Sequence, residues 1–206
     1  MGTFPVFLDK NEPLTILSQA IRDSVETRVN NFLMLGKEYL TPDAPLYELG
    51  WDQSIECRIH FFSPELISLL ISISEYTGGA HGNLRFRTLN YTSIERNFRE
   101  LTLNELFLPN SNYVDILSRL CVNDLKIQGA SLITSQQVKT FSESDFSEFT
   151  INPAGLTIYF APYEVGAYAE GPYQVFIPFN LLKDVIDWNG PLGVFKHLYK
   201  ITNSGS

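Results

Sequence analysis

Only two cysteines and three histidines occur among 206 residues, and none stands at the spacing of a zinc knuckle, a C-x-x-C redox pair or a clustered ligand set. Cys57 and Cys121 both fall where the apolar pattern points inward. They suit either one bridge in an oxidising compartment or two buried thiols that act as small hydrophobes. No segment approaches the roughly 20 apolar residues of a membrane span. The start, Met1-Gly2-Thr3-Phe4-Pro5, has no basic region followed by an apolar stretch. The expectation is a cytoplasmic chain or one whose leader has been removed, and the ends, Met1-Gly2 and Ser204-Gly205-Ser206, favour the second. Lysine and arginine form no run, and with a net charge of -8 the chain is not expected to bind nucleic acid. An uncharged or cationic partner is easier to accommodate, although an acidic surface also simply keeps a protein soluble. There is no G-x-G-x-x-G, Walker loop or G-x-S-x-G elbow.

Hydrophobic residues at 44% and charged residues at 18% describe a globular chain rich in phenylalanine and tyrosine. After a short extended start at Phe4 to Leu8, an amphipathic helix is expected from Pro13 to Leu35. Leu14, Leu17, Ile21, Val25, Phe32 and Leu35 share one face, Arg28 interrupts it with its charge near water, and Gly36 is the stop. Alternation from Trp51 to Phe61 predicts a strand with one wet face that includes His60. Leu66 to Ser74 reads as a well-buried strand, and Leu84 to Tyr91 completes an antiparallel meander, with a turn near Glu95-Arg96-Asn97. Further on come a brief strand and helical turn over Glu100 to Phe107, and a helix from about Ser111 to Leu125. A hairpin is expected across Asn152-Pro153-Ala154, then a strand from Tyr173 to Ile177 and a helix from Pro178 to about Val185. The class is α+β, a mostly antiparallel sheet packed against a long N-terminal helix and further shorter helices. Residues 1–200 read as a single domain, with room for two intimately packed subregions at about 1–75 and 76–200, and 201–206 as a tail.

Two patches could carry function. In Glu75-Tyr76-Thr77-Gly78-Gly79-Ala80-His81-Gly82, glycines either let a ligand approach the backbone or supply positive φ in a tight connection. His81 could serve as base, metal ligand or groove donor, or simply tie the turn to nearby backbone. No metal site and no cofactor is expected. In the second patch, Tyr159 to Tyr173, the rings of Tyr163, Tyr168 and Tyr173 offer apolar area with a polar handle, as interfaces and sugar-stacking surfaces require, or they cover the end of a sheet. Glu75, Glu164 and Glu170 border the patches, so that His81 with Glu75 or Glu164 are the weak candidates for acid/base chemistry. The candidate binding residues are Tyr76, Gly78, Gly79, His81, Tyr163, Glu164 and Tyr168.

With both patches placed, the chain resembles the bacterial extracytoplasmic domain of unknown function found in lysozyme-sensing anti-sigma factors and beside the catalytic domain of certain peptidoglycan N-acetyl deacetylases. The resemblance rests on Tyr76 through Gly82, on Glu100-Leu101-Thr102-Leu103-Asn104-Glu105-Leu106-Phe107, on Gly155 through Phe160, on Pro162-Tyr163-Glu164 and Ala167-Tyr168-Ala169, and on Gly171-Pro172 and Ile177-Pro178. It implies an extracytoplasmic, envelope-facing domain whose leader or anchor is absent from this sequence. Its expected partner is a cell-wall glycan or a wall-directed protein such as lysozyme. The Asp-Asp and H-x-x-x-H elements of the deacetylase domain are absent, so deacetylation is not implied. The remaining alternatives are a glycan or peptidoglycan hydrolase using His81 and a nearby glutamate, and a spacer with no ligand.

Overall fold

The computed structural model describes residues 13–43, 50–94 and 97–201. Helix α1 (Pro13–Tyr39) is followed by strands β1 (Asp52–Phe62), β2 (Leu66–Tyr76), β3 (Asn83–Ile94) and β4 (Asn97–Glu100), which form an antiparallel-type meander in the order β1-β2-β3-β4. Helices α2 (Tyr113–Gln128) and α3 (Ser131–Thr134) come next. Strands β5 (Phe149–Asn152), β6 (Gly155–Phe160) and β7 (Tyr173–Pro178) form a second, antiparallel sheet in the order β5-β6-β7. The class is therefore α+β, an N-terminal helix with antiparallel sheets and a few shorter helices. The strands fall into two sheets, where the sequence reading supposed one.

The chain divides into two compact units, one of Met1–Arg58 with Ile71–Arg87, the other of Ile59–Leu70 with Thr88–Ser206. In the first, α1 turns Ile21, fully buried, and the half-buried Val25 and Phe32 inward, while Arg22, Asp23, Glu26 and Asn30 face water. Phe32 meets Trp51 with ring centroids 5.9 Å apart. Two expectations fail here. The helix runs through Gly36 to Tyr39, with Leu40 N–H donating to the Gly36 carbonyl at 2.9 Å, and Leu35 is 47% exposed. Gly36 stays helical because its φ is not left-handed, and the Trp51 ring stands at ordinary van der Waals distance from where a Cβ would be. The side chains of Leu14 and Leu17, the stretch Phe4 to Leu8, and the turn residues Glu95 and Arg96 lie outside the described residues.

In the second unit, α2 buries Leu117, Ser118, Cys121 and Leu125, one face at helical spacing. The helix ends on Gly129 at φ 85°, with Ala130 N–H returning to the Leu125 carbonyl at 3.0 Å, so that the last carbonyls are not left unpaired. Every residue of β6 is buried, and Phe146, Phe149, Phe160, Phe179 and Phe195 join α2 in one core. The segment after Pro178, expected as a helix to Val185, holds only a 3₁₀ turn at Phe179–Leu181, and Pro191–Leu198 forms a longer 3₁₀ stretch.

Three of the buried polar residues of this unit, Ser68, Thr88 and Asn90, share one task. Strand β5 is an edge of its sheet, and its outward backbone groups are met by side chains of residues 68, 88 and 90. Ile151 N–H donates to Ser68 Oγ at 2.8 Å, Asn90 Nδ2 donates to the Phe149 carbonyl at 2.8 Å, and Phe149 N–H donates to Thr88 Oγ1 at 3.1 Å. Ser68 Oγ in turn donates to Asn90 Oδ1 at 2.6 Å. Unpaired edge groups buried away from water would cost heavily, which explains why these three polar residues are buried.

Candidate functional site

The glycine turn connects β2 to β3. Gly78 and Gly79 have φ of 88° and 108°, and a Cβ at Gly79 would meet nothing within 4 Å. Here glycine is required by backbone conformation and not by crowding. The Tyr76 hydroxyl donates to the Gly79 carbonyl at 3.1 Å, and exposed His81 places Nδ1 2.9 Å from the Gly82 carbonyl. These contacts match the reading in which the histidine ties the turn to nearby backbone.

Glu75 is occupied elsewhere. Arg28 grips it with Nε on Oε1 at 2.8 Å and Nη2 on Oε2 at 2.5 Å, and Gln53 Nε2 adds a bond to Oε1 at 2.8 Å. Burial alone would raise this carboxyl. The hydrogen bonds from Arg28 and Gln53, with the charges of Arg28 and Arg85, outweigh burial and hold it below the ordinary carboxylate range. A group fixed in its ionised form and surrounded by donors is a poor general acid and a weak base. Arg28, expected to reach water, is instead the partner of Glu75.

In the second unit, the connection from β6 to β7 carries the tyrosine patch. Tyr163 sits at φ 77° and is 60% exposed, unusual for a bulky residue, and its ring lies 5.6 Å from that of the half-buried Tyr168. The turn beneath is closed from both sides: Ala161 N–H donates to Glu164 Oε2 at 2.7 Å, and Glu164 N–H to the Ala161 carbonyl at 3.2 Å. Burial raises the Glu164 pKa, the Ala161 N–H opposes this, and the charges of Glu148 and Asp145 add to the rise.

Glu170 holds the other end of the loop. It accepts from Ser131 N–H at 3.0 Å, Ala167 N–H at 3.1 Å and the Tyr173 hydroxyl at 2.8 Å. Hydrogen bonds from the Ser131 side chain, the Tyr173 hydroxyl and the two backbone groups bring its pKa down to about 2. A Cβ at the buried Gly166 would overlap this carboxylate, so glycine is needed for the carboxylate to seat. With Tyr173 bound to Glu170 and packed against the core, the patch reduces to the Tyr163 and Tyr168 pair on a clamped loop. Sequence reasoning named Glu170 but not its partner Ser131, because alanine at the capping position hides the short-range pattern.

His60 was expected on the wet face. The alternation of β1 breaks at Arg58 and Ile59, two successive exposed residues, and His60 turns half inward with Nε2 3.2 Å from the buried Tyr159 hydroxyl, which also meets Thr150 Oγ1 at 3.1 Å. Cys57 is half-buried, Cys121 is buried, and both are free thiols. Among the described residues no three His, Cys, Asp or Glu side chains gather as metal ligands, and no helix is long and apolar enough to cross a membrane.

Residues 104–180, from the turn before α2 through the tyrosine loop to the end of β7, match a family described as a protein of unknown function, DUF3298. This segment is a DUF3298 domain. Over 186 residues, 89% of the chain, the sequence is 25% identical to PdaC of Bacillus subtilis strain 168, named as a peptidoglycan-N-acetylmuramic acid deacetylase, and it spans 38% of that protein's length. A DUF3298-family protein from Pseudomonas aeruginosa PAO1 has a similar fold, with a TM-score of 0.54 at 17% identity over 68% of this chain and 64% of that one. A DUF3298-family structure from Bacteroides fragilis gives 0.50 at 21% identity, over 86% and 70%. The tyrosine pair thus lies inside the DUF3298 segment, and the glycine turn lies before it.

Proposed function

We propose that the chain is a non-catalytic binding domain of the bacterial cell envelope, extracytoplasmic, that recognises peptidoglycan-type glycan through the loop bearing Tyr163 and Tyr168. The observation that carries this reading is the exposed Tyr163 ring paired with the half-buried Tyr168 ring on a connection fixed at both ends. Tyr163 is held at a positive φ that costs about 1–3 kcal/mol, and strain of this kind persists where the surroundings impose it. Two tilted aromatic faces on a rigid mount suit the apolar faces of sugar rings, with the hydroxyls left to bond. A distant relative named for its action on peptidoglycan makes the wall a sensible place to look. The glycine turn, with Tyr76, Gly78, Gly79 and His81, is a separate recognition candidate in the first unit.

The test is co-sedimentation with insoluble peptidoglycan. Wild type should be retained, and a Tyr163→Ala/Tyr168→Ala double variant with unchanged circular dichroism should stay in the supernatant. Equal retention of both would remove the tyrosine pair from recognition. If neither sediments, the net charge of -8 directs the search to a basic wall-directed protein such as lysozyme. Release of soluble glycan fragments by the wild type would favour the hydrolase.

A further inference from the structure

A concavity lies in the second unit, away from the tyrosine loop in sequence. It encloses about 410 Å³ and is lined among others by Glu65, Ser93, Arg99, Asn189, Pro191 and Val194. That volume is within the range of small-ligand sites. The lining is chemically two-signed. Glu65, on the turn between β1 and β2, is exposed and accepts from Ser63 Oγ through Oε2 at 2.9 Å, an interaction that orients the carboxylate. Arg99, on β4, is oriented by Glu105 Oε1 on Nη2 at 2.6 Å and by the Glu100 carbonyl on Nη1 at 3.1 Å. These two bonds use two of the five N–H donors of a guanidinium whose side chain is 46% exposed. Asn189 accepts from Lys196 Nζ through Oδ1 at 2.6 Å, and its amide donors are additional hydrogen-bonding capacity. Pro191 and Val194 supply apolar surface.

We infer that this cleft binds a zwitterionic small group, with a carboxylate on Arg99 and a protonated amine on Glu65. A simple anion would meet Glu65 and a chain of net charge -8, and a simple cation would meet Arg99. A ligand carrying both charges satisfies both walls, and the planar fork of arginine suits a carboxylate. Two sources present this chemistry, the end of a short peptide and an amino-sugar acid whose amine is not acylated. The inference uses none of the residues on which the glycan reading rests.

The experiment follows backbone amide shifts of the whole chain by two-dimensional NMR at neutral pH. The ligands are muramic acid, N-acetylmuramic acid, D-alanyl-D-alanine and its N-acetyl form. The expected result is saturable movement of the amides of Ser93, Asn189 and Val194 with muramic acid or with the dipeptide, whichever is the source. The acetylated counterpart should bind roughly tenfold or more weakly, because it lacks the charge that meets Glu65. Glu65→Gln, an exposed change, should abolish that preference, and Arg99→Gln should weaken both forms. Equal affinity for free and acetylated amines would overturn the inference, and so would the absence of any shift at these amides up to about 20 mM of each ligand.

Discussion

Replacing Asn90 by alanine tests the proposition that β5 is held by side chains standing in for a missing neighbouring strand. Asn90 is 4% exposed, its Nδ2 donates to the Phe149 carbonyl, and its Oδ1 accepts from Ser68 Oγ. Each buried bond is worth about 0.5–1.5 kcal/mol net, and a buried partner left without one costs about 1–3 kcal/mol. With a carbonyl and a hydroxyl both losing a partner, the expected loss is about 2–4 kcal/mol, a large share of the roughly 5–15 kcal/mol that holds a domain together. The two units call for a local probe. Trp188, 8% exposed, belongs to the second unit and Trp51 to the first, so urea unfolding is followed by fluorescence in a Trp51→Phe background. At an m-value of about 2 kcal/mol/M the midpoint should fall by roughly 1–2 M with m unchanged. Ser68→Ala should also destabilise, and the double variant should lose less than the sum, because the two share a bond. A loss below about 0.5 kcal/mol for Asn90→Ala, or strict additivity with Ser68→Ala, would refute the reasoning.

Gly155→Ala should destabilise the second unit by about 2 kcal/mol or more in urea unfolding, because its Cβ would overlap the Ile177 carbonyl oxygen across the β6–β7 pair and only backbone movement can relieve the clash. The Arg99 side chain, then the Thr102 backbone and hydroxyl groups, hold Glu105 down at about 2 against the penalty of burial, so its contribution is present above the ordinary value near 4.5 and lost as pH falls from there toward 2. Glu105→Gln should therefore cost about 1–2 kcal/mol at neutral pH, after allowance for solvent screening of this exposed pair, and the gap to wild type should close in acid; a constant gap would count against it. Burial pushes the Cys57 thiol up to about 11 and Cys121 to about 12, so a thiol-specific disulfide reagent at neutral pH should label the native chain slowly and two thiols at once in denaturant. In a Cys57→Ser variant, fast native labelling of Cys121 would contradict its burial.

What the sequence made legible was mostly local. The phase of β1 up to Arg58, the presence of α2 and the turns at Gly78-Gly79 and Pro153-Ala154 follow from period and backbone preference, which act over a few residues. The misses share a different cause. His60 reads as a wet-face residue until Tyr159, 99 positions away, supplies a hydroxyl for its ring, and Glu75 reads as a candidate base until Arg28, 47 positions away, occupies it. Ser68, Thr88 and Asn90 look like an ordinary polar face, and nothing within their own strands says that the edge of β5 requires them. Tyr163 was legible as an aromatic beside a proline, but its left-handed backbone was not, because alanine, proline and glutamate around it carry no signal for that conformation.

Glu164 is the position at which binding and catalysis make opposite demands. A catalytic acid would need the proton its raised pKa helps to retain; a mount for Tyr163 needs only an oxygen to accept from Ala161 N–H. Glutamine keeps that oxygen and removes the charge that Glu148 and Asp145 oppose. The sign of the pH effect follows from the raised folded-state pKa: the stabilisation it gives is complete below the unfolded value and lost as pH rises through the folded one. Glu164→Gln should therefore be at least as stable as wild type at neutral pH, and its advantage should shrink as pH is lowered. The same variant should be retained on peptidoglycan like wild type, because the rings and the turn under them are intact. Loss of retention in a folded Glu164→Gln protein would mean that the carboxylate itself meets the ligand. If wild type releases glycan fragments and Glu164→Gln does not, the carboxyl is doing acid/base chemistry and the loop is the edge of an active site.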